Sequence, residues 1–277
     1  MTTLKVAIIS NSDKLWSVHA WNRVFSSEIL KNDYEVAGFW CCDQKFSNKK
    51  KLSAWKWYYN TLGWYNFIKL GFFVVVFKVS ALIKSLSGKY HLSFESLCKA
   101  NGISFYKTKT PNTPEFIRWL QKEQIDVLII MVDHILKEGT LEAVKLATVN
   151  KHAGLLPQNK GLFPYFWAVV NDTKQGISFH KVNEAIDEGD LYFQEEVTSP
   201  SHTSSMIAFY YYVHGSYYKM LETAITNIKN KVTIKQNDES PHSYYSLPQK
   251  SDYLIFKEKG GVIMKWTDLL LPFHLFK

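Results

Sequence analysis

Short apolar runs alternate with amphipathic stretches along most of this chain, and that alternation predicts its fold class. Lys5–Ser10 (KVAIIS), 34–43 (YEVAGFWCCD), 103–108, Val127–Val132 (VLIIMV), 148–153 and 191–197 are short and rich in β-branched or aromatic residues, as buried strands require. Between them, 16–30, 93–100, 113–124 and 136–147 carry helical spacing. The helix at 113–124 opens on Thr113, Pro114 and Glu115: an N-cap, a first-turn proline and an early acid. Residues 176–183 alternate imperfectly, which predicts a further strand, and 203–229 has long helical periodicity. Strands alternating with helices imply right-handed βαβ units and an α/β, Rossmann-like, mostly parallel sheet flanked by helices. Such sheets place ligands beyond the carboxyl ends of their strands.

Asn150 and His152 fall at the end of one predicted strand, two residues apart and so on one face. Asp187 follows in an Asp-Glu-Gly-Asp turn. An amide donor, an imidazole and a carboxylate can together manage a proton and a developing oxyanion, as acyl-group transfer requires. His180 lies on a predicted strand, where either a structural role or substrate contact is open. The aromatics of Gly161–Ala168 (GLFPYFWA) suit either helix core or a stacking surface for a ring.

The run Thr148–Gln194 closely resembles the folate-dependent formyltransferases. The resemblance rests on Asn150, His152, Leu155, Leu156, Pro157, Gly161, Pro164, Ala168, Gly176, His180, Asp187 and Gly189, and it is looser over the rest of 1–230. It departs at Gly154, where the family pattern has serine. The resemblance implies the formyltransferase fold, with Asn150, His152 and Asp187 as the catalytic group and formyl-tetrahydrofolate as donor co-substrate. It places the folate against Asp133, His134, Ile135 and Leu136 on one side and Ala185, Ile186 and Glu188 on the other. Leu155, Pro157, Phe163, Pro164 and His180 would meet the acceptor, with Tyr210, Tyr211 and Tyr244 as candidates for holding a nucleotide; core packing explains the first two tyrosines equally well. The acceptor that the resemblance favours is a nucleotide-linked amino sugar destined for surface glycans. Methionyl-tRNA is the alternative, and a non-catalytic binding or assembly module of the same fold is a third reading. The roughly 47 residues after 230 would be short for the C-terminal domain that tRNA-formylating members generally carry, a domain for which an insertion at 44–94 could substitute.

Composition sharpens one region. The chain of 277 residues has net charge +8, yet Gln44–Phe94 alone holds nine lysines and no acid. The basic character therefore belongs to an insertion at 44–94 within a catalytic domain of 1–230. A small tail, 231–277, follows. The insertion is aromatic and apolar, which suits packing on its own domain, a homodimer surface, or peripheral membrane contact. The run Gly71–Phe77 is too short to span a bilayer. Nucleic acid is disfavoured because the segment has no arginine and no known binding module. Cys41, Cys42 and Cys98 lack metal-ligand spacing and are expected as free thiols, in keeping with a cytoplasmic protein, at most at the inner face of a membrane. No metal is expected, and no phosphate-cradling glycine loop points to ATP or NAD.

Overall fold

The computed structural model describes residues 3–27, 34–45, 53–184, 187–235 and 243–274. In chain order its main elements are β1 (Leu4–Asn11), α1 (Trp16–Ser26), β2 (Tyr34–Cys42), α2 (Ala54–Ser85), α3 (Phe94–Ala100), β3 (Phe105–Thr108), α4 (Pro114–Lys122), β4 (Val127–Met131) and β5 (Ala147–His152). There follow β6 (Lys160–Gly161), α5 (Pro164–Val170), β7 (Gly176–Lys181), β8 (Leu191–Glu196), α6 (Met206–Gly215), α7 (Tyr217–Lys229), β9 (Tyr244–Tyr245) and α8 (Lys250–Glu258). A 3₁₀ turn at Trp266–Leu270 and one helical turn at Leu271–His274 close the described chain.

Seven strands form one sheet in the order β3-β2-β1-β4-β5-β7-β8. The first five are parallel, and β7 and β8 are added antiparallel. Alternate side chains of the apolar strands feed opposite faces. Val6, Ile8 and Ile129 join Trp21, Phe39, Phe179 and Tyr217 beneath α1 and α7. Ala7, Ile9, Leu128 and Ile130 join Trp40, Phe116 and Leu120 beneath α4. Burial on both faces is why these strands read as unbroken apolar runs.

Thr113 caps α4 by accepting from Phe116 N, with Pro114 in its first turn, as the sequence predicts. The helix expected over 136–147 shrinks to Glu138–Leu141. Gly139 lowers its helix propensity, and Lys145 N and Leu146 N leave to bond Ile125 O and Asp126 O. The periodicity of 203–229 resolves into two helices that break at Gly215–Ser216. Helix α1 is described to Ser26, and residues 28–30 of the expected 16–30 helix lie outside the described chain.

Most of the basic insertion is the single helix α2, capped by Ser53 and interrupted only at Gly63, which takes a left-handed φ of 79°. The helix as a whole is long and apolar enough to cross a membrane by length and composition, although its run Gly71–Phe77 alone is not. One face packs on the body through Leu62, Leu70, Phe73 and Phe77. The C-terminal segment lies along it. Trp57 Nε1 donates to Pro248 O at 3.0 Å, Asn66 Nδ2 to Tyr253 Oη at 2.6 Å, and Ser80 Oγ to Pro272 O at 3.2 Å. The buried Lys69 Nζ donates to Met264 O.

Candidate active site

Strand β5 ends at the carboxyl edge of the sheet and carries Asn150 and His152 on one face. Its antiparallel neighbour β7 sets His180 directly across from Asn150, and Ser178 across from His152. Asn150 Nδ2 lies 3.4 Å from His180 Nε2. Asp187 arrives from the turn beyond β7 and closes the group. Its Oδ2 is 3.4 Å from His152 Nδ1 and its Oδ1 is 3.3 Å from His180 Nε2. Gly161 N donates to the same carboxylate at 2.9 Å. The side chains of His152, His180 and Asp187 are only 5%, 2% and 9% exposed.

Burial opposes charge on Asp187, but the His180 hydrogen bond, the nearby His152 and the Gly161 N–H outweigh it and hold the carboxyl below its ordinary range. Burial, only partly offset by Asp187, lowers the His152 pKa from 6.5. His152 is therefore neutral at pH 7, with Nε2–H donating to Asn159 O at 3.0 Å and the Nδ1 lone pair toward Asp187. A proton that arrives on Nδ1 meets a carboxylate already in place.

The loop that follows is fixed from beneath. Ser178 Oγ donates to Gly154 O at 2.7 Å and accepts from Leu156 N at 3.1 Å and Gln194 Nε2 at 3.0 Å. A Cβ at Gly154 would sit 2.9 Å from both His152 Nε2 and Pro164 Cβ. With this placement of the ring, the family's serine has no room. Gly161 has φ 92°, and a Cβ there would lie 2.3 Å from Tyr245 O, because β6 pairs with β9. The tail strand thus secures the backbone whose N–H holds Asp187.

Asn150, His152, Gly161, His180 and Asp187 line a cleft of about 490 Å³. Asp133, His134, Ile135 and Leu136 form one side, and Phe163, Pro164 and Tyr244 another. Asp133 accepts from Asn11 Nδ2 at 2.9 Å, which ties the ends of β4 and β1 together. His134 Nε2 lies 2.8 Å from Asp43 O. Ile135 stays exposed at the rim while Leu136 is buried beneath it. Val182, Asn183 and Glu184 complete the facing wall. An apolar slot with backbone and carboxylate groups at its edges suits a flat heteroaromatic ring bearing N–H donors. Among the described residues no group of three or more His, Cys, Asp or Glu could hold a metal.

Several sequence-derived candidates sit elsewhere. Ala185 and Ile186 lie outside the described residues. Glu188 turns to Lys160, 2.7 Å away, and does not line the cleft. Leu155 and Pro157 belong to the loop behind the cleft, with Leu155 against Gly176. Tyr211 is core: it stacks on His19 and donates to Leu271 O at 2.5 Å. Tyr210 packs beside Phe209 and His214, away from the lining. Tyr165, Phe166 and Trp167 are likewise buried, with Phe166 stacked on Phe256 at 4.5 Å and Trp167 on Tyr245 at 4.5 Å.

The structure adds residues that the motif did not single out. Lys151, between the two motif residues, directs Nζ to His214 Nε2 at 3.1 Å, and burial pushes its pKa down to about 7. His214 Nδ1 in turn faces Tyr210 O at 2.7 Å. Its place in the strand between Asn150 and His152 was the available signal for it. Ser178 could have been found from its two-residue spacing to His180. Tyr58, from the basic insertion, also reaches the cleft wall, and its neighbour Trp57 packs on Phe163 at 4.9 Å.

A mostly parallel sheet with an amide, two imidazoles and a carboxylate gathered at one edge defines an α/β protein equipped for acyl-group chemistry. Residues 79–215 match the family model described as formyl transferase, so the chain carries a formyl transferase domain over that stretch. It is 29% identical over 170 residues to the methionyl-tRNA formyltransferase of Ehrlichia canis, covering 58% of this chain and 55% of that one. The chain spans about half the length of the curated relatives it matches. The fold is that of a sugar N-formyltransferase from Shewanella sp FDAARGOS_354, with TM-score 0.53, 14% identity, and 92% and 87% of the two chains covered. It is shared by the N-formyltransferase of Helicobacter canadensis in complex with folinic acid and dTDP-3-aminofucose, with TM-score 0.51, 18% identity, and 88% and 71% covered.

Proposed function

We propose that this protein transfers a formyl group from formyl-tetrahydrofolate to the amine of an amino sugar carried on a nucleotide, acting in the cytoplasm in the synthesis of a surface glycan. The observation that carries the reading is the convergence of Asn150, His152, His180 and Asp187 on one cleft. The acceptor amine attacks the formyl carbon, and its nitrogen forms the new C–N bond. Negative charge develops on the formyl oxygen, where the Asn150 amide donates. The attacking nitrogen sheds a proton to the His152–Asp187 pair, directly or through water. The bond to the folate nitrogen then breaks, and that nitrogen takes up a proton. The apolar slot at 132–136 would hold the folate ring, with Asp133 for ring N–H donors. Phe163, Pro164 and Tyr244 would face the acceptor. In this reading 1–230 is the catalytic unit, with 44–94 inserted in it, and 231–277 is an appendage that braces it.

The amino-sugar acceptor is supported by the fold shared with sugar N-formyltransferases across nearly the whole chain. Methionyl-tRNA is the second reading, because the curated relatives are mostly methionyl-tRNA formyltransferases. The deciding experiment mixes purified protein with formyl-tetrahydrofolate and either a panel of nucleotide-linked amino sugars or charged initiator tRNA. Release of tetrahydrofolate with an amino sugar is the expected result. Turnover with the tRNA alone replaces the first reading by the second.

A further inference from the structure

Helix α2 has two apolar faces, and only one of them is covered. Leu70, Phe73 and Phe77 pack on the body. On the opposite side Ile68, Phe72, Val75, Val79 and Leu82 recur at alternating spacings of four and three, which places them along one stripe. All five are exposed, Val75 to 58%. Trp64 and Tyr65 continue the stripe toward Gly63. Trp266 widens it, with its ring 6.3 Å from Phe72 and its Nε1 3.3 Å from Tyr65 Oη. A contiguous apolar ridge of this kind marks an interaction surface.

Charge identifies what the surface fits. The segment 44–94, which contains the ridge, carries nine lysines and no acid, a net charge of +9. Lys56 and Lys78 are exposed on the helix, and Lys89 is exposed just beyond its end. A second copy docked about a two-fold axis would set this acid-free segment against its own image, and like charges would oppose the contact. A nucleic acid would satisfy the lysines but leave the apolar stripe in water. An anionic lipid surface satisfies both: phosphate headgroups meet the lysines, while Trp64, Tyr65 and Trp266 sit at the depth that suits amphipathic rings. Spanning is excluded by the other face, where Lys69, Leu70 and Phe73 are buried against the body and the C-terminal segment. We infer that the outer face of α2, with Trp266, docks this protein in plane on an anionic membrane surface. The inference is independent of which amine the enzyme formylates.

The test is flotation of the full chain with phosphatidylglycerol or phosphatidylcholine vesicles, at about 50 mM and about 500 mM salt. Binding to phosphatidylglycerol is expected to exceed that to phosphatidylcholine by about tenfold at low salt, and to fall several-fold at high salt. Replacing Val75, Val79 and Leu82 by Glu should reduce the bound fraction by about tenfold, while the thermal melt and formyl transfer stay as in the parent. Lys78→Glu, a change of one exposed charge, should weaken phosphatidylglycerol binding without touching the apolar stripe. The inference is overturned if the parent chain stays with the soluble fraction at low salt, or if the glutamate variant floats as well as the parent. It is also overturned if the parent is a dimer by light scattering that the glutamate variant converts to monomer while neither binds vesicles.

Discussion

Asp187 takes a left-handed backbone with φ 55°, a conformation that aspartate tolerates better than most residues. That turn lets one carboxylate face two imidazoles and the Gly161 N–H. Asn150→Ala should lower kcat by ~10²–10³, the usual effect of removing an oxyanion donor, with the KM for acceptor changing far less; steady-state kinetics will show it. Asp187 also links stability to pH. Its folded pKa lies below the unfolded 3.8, so its contribution is present above that value and is lost as pH falls through the folded pKa. The Tm gap between the parent and Asp187→Asn should therefore be full at pH 6 to 7, about three units above the unfolded value, and should close as acid is added below it. His152 is depressed below 6.5, so the acidic limb of a pH–rate profile should lie beneath that value. Gly154→Ser restores the family's residue at a position where a Cβ meets the His152 ring 2.9 Å away. The ring must move, and single-turnover rates should fall by about tenfold or more.

At the scale of elements, β5 and β7 supply the site through register. The pair Asn150↔His180 is a direct cross-strand pair, so a slip by one residue would turn both side chains away. The short β6–β9 pairing is the second constraint. Gly161→Ala places a methyl group against Tyr245 O in a left-handed conformation, which should cost about 1–3 kcal/mol and release the N–H that holds Asp187. A lower Tm together with reduced kcat is the expected pair of readouts. Helix α8 contributes by packing: Phe256 is fully buried and stacks on Phe166 with ring planes 5° apart. Phe256→Ala should cost about 3–5 kcal/mol in chemical denaturation.

Across the whole molecule, the C-terminal segment runs the length of α2, from Trp57 near its start to Ser80 near its end. Pro248, Tyr253, Met264 and Pro272 receive or make hydrogen bonds along α2, and Tyr244–Tyr245 pairs beside the cleft. A chain ended at residue 235 should therefore lose both the brace on Gly161 and the cover on α2. Circular dichroism should then show a broader, lower melting transition, and formyl transfer should fall with it. Tyr58 and Phe163, joined through Trp57, bring the insertion to the rim of the same cleft.

The sequence alone determined the sheet and the motif. The short apolar run VLIIMV, rich in β-branched residues and flanked by polar ones, reads as a strand buried on both faces, and the two-residue spacing of Asn150 and His152 sets both on one side of theirs. Local chemistry marked the start of α4, because Thr113 and Pro114 act within one turn. Tertiary structure decided the rest. His180 joins the site through cross-strand register, Gly161 matters because a distant tail carbonyl approaches it, and Tyr211 leaves the candidate list because Leu271 and His19 claim it. Those contacts join residues far apart in the chain, and nothing in a one-dimensional pattern encodes which distant backbone will arrive. The same holds for α2: its composition is apolar all round, and only packing separates the face that meets the body from the face left to solvent.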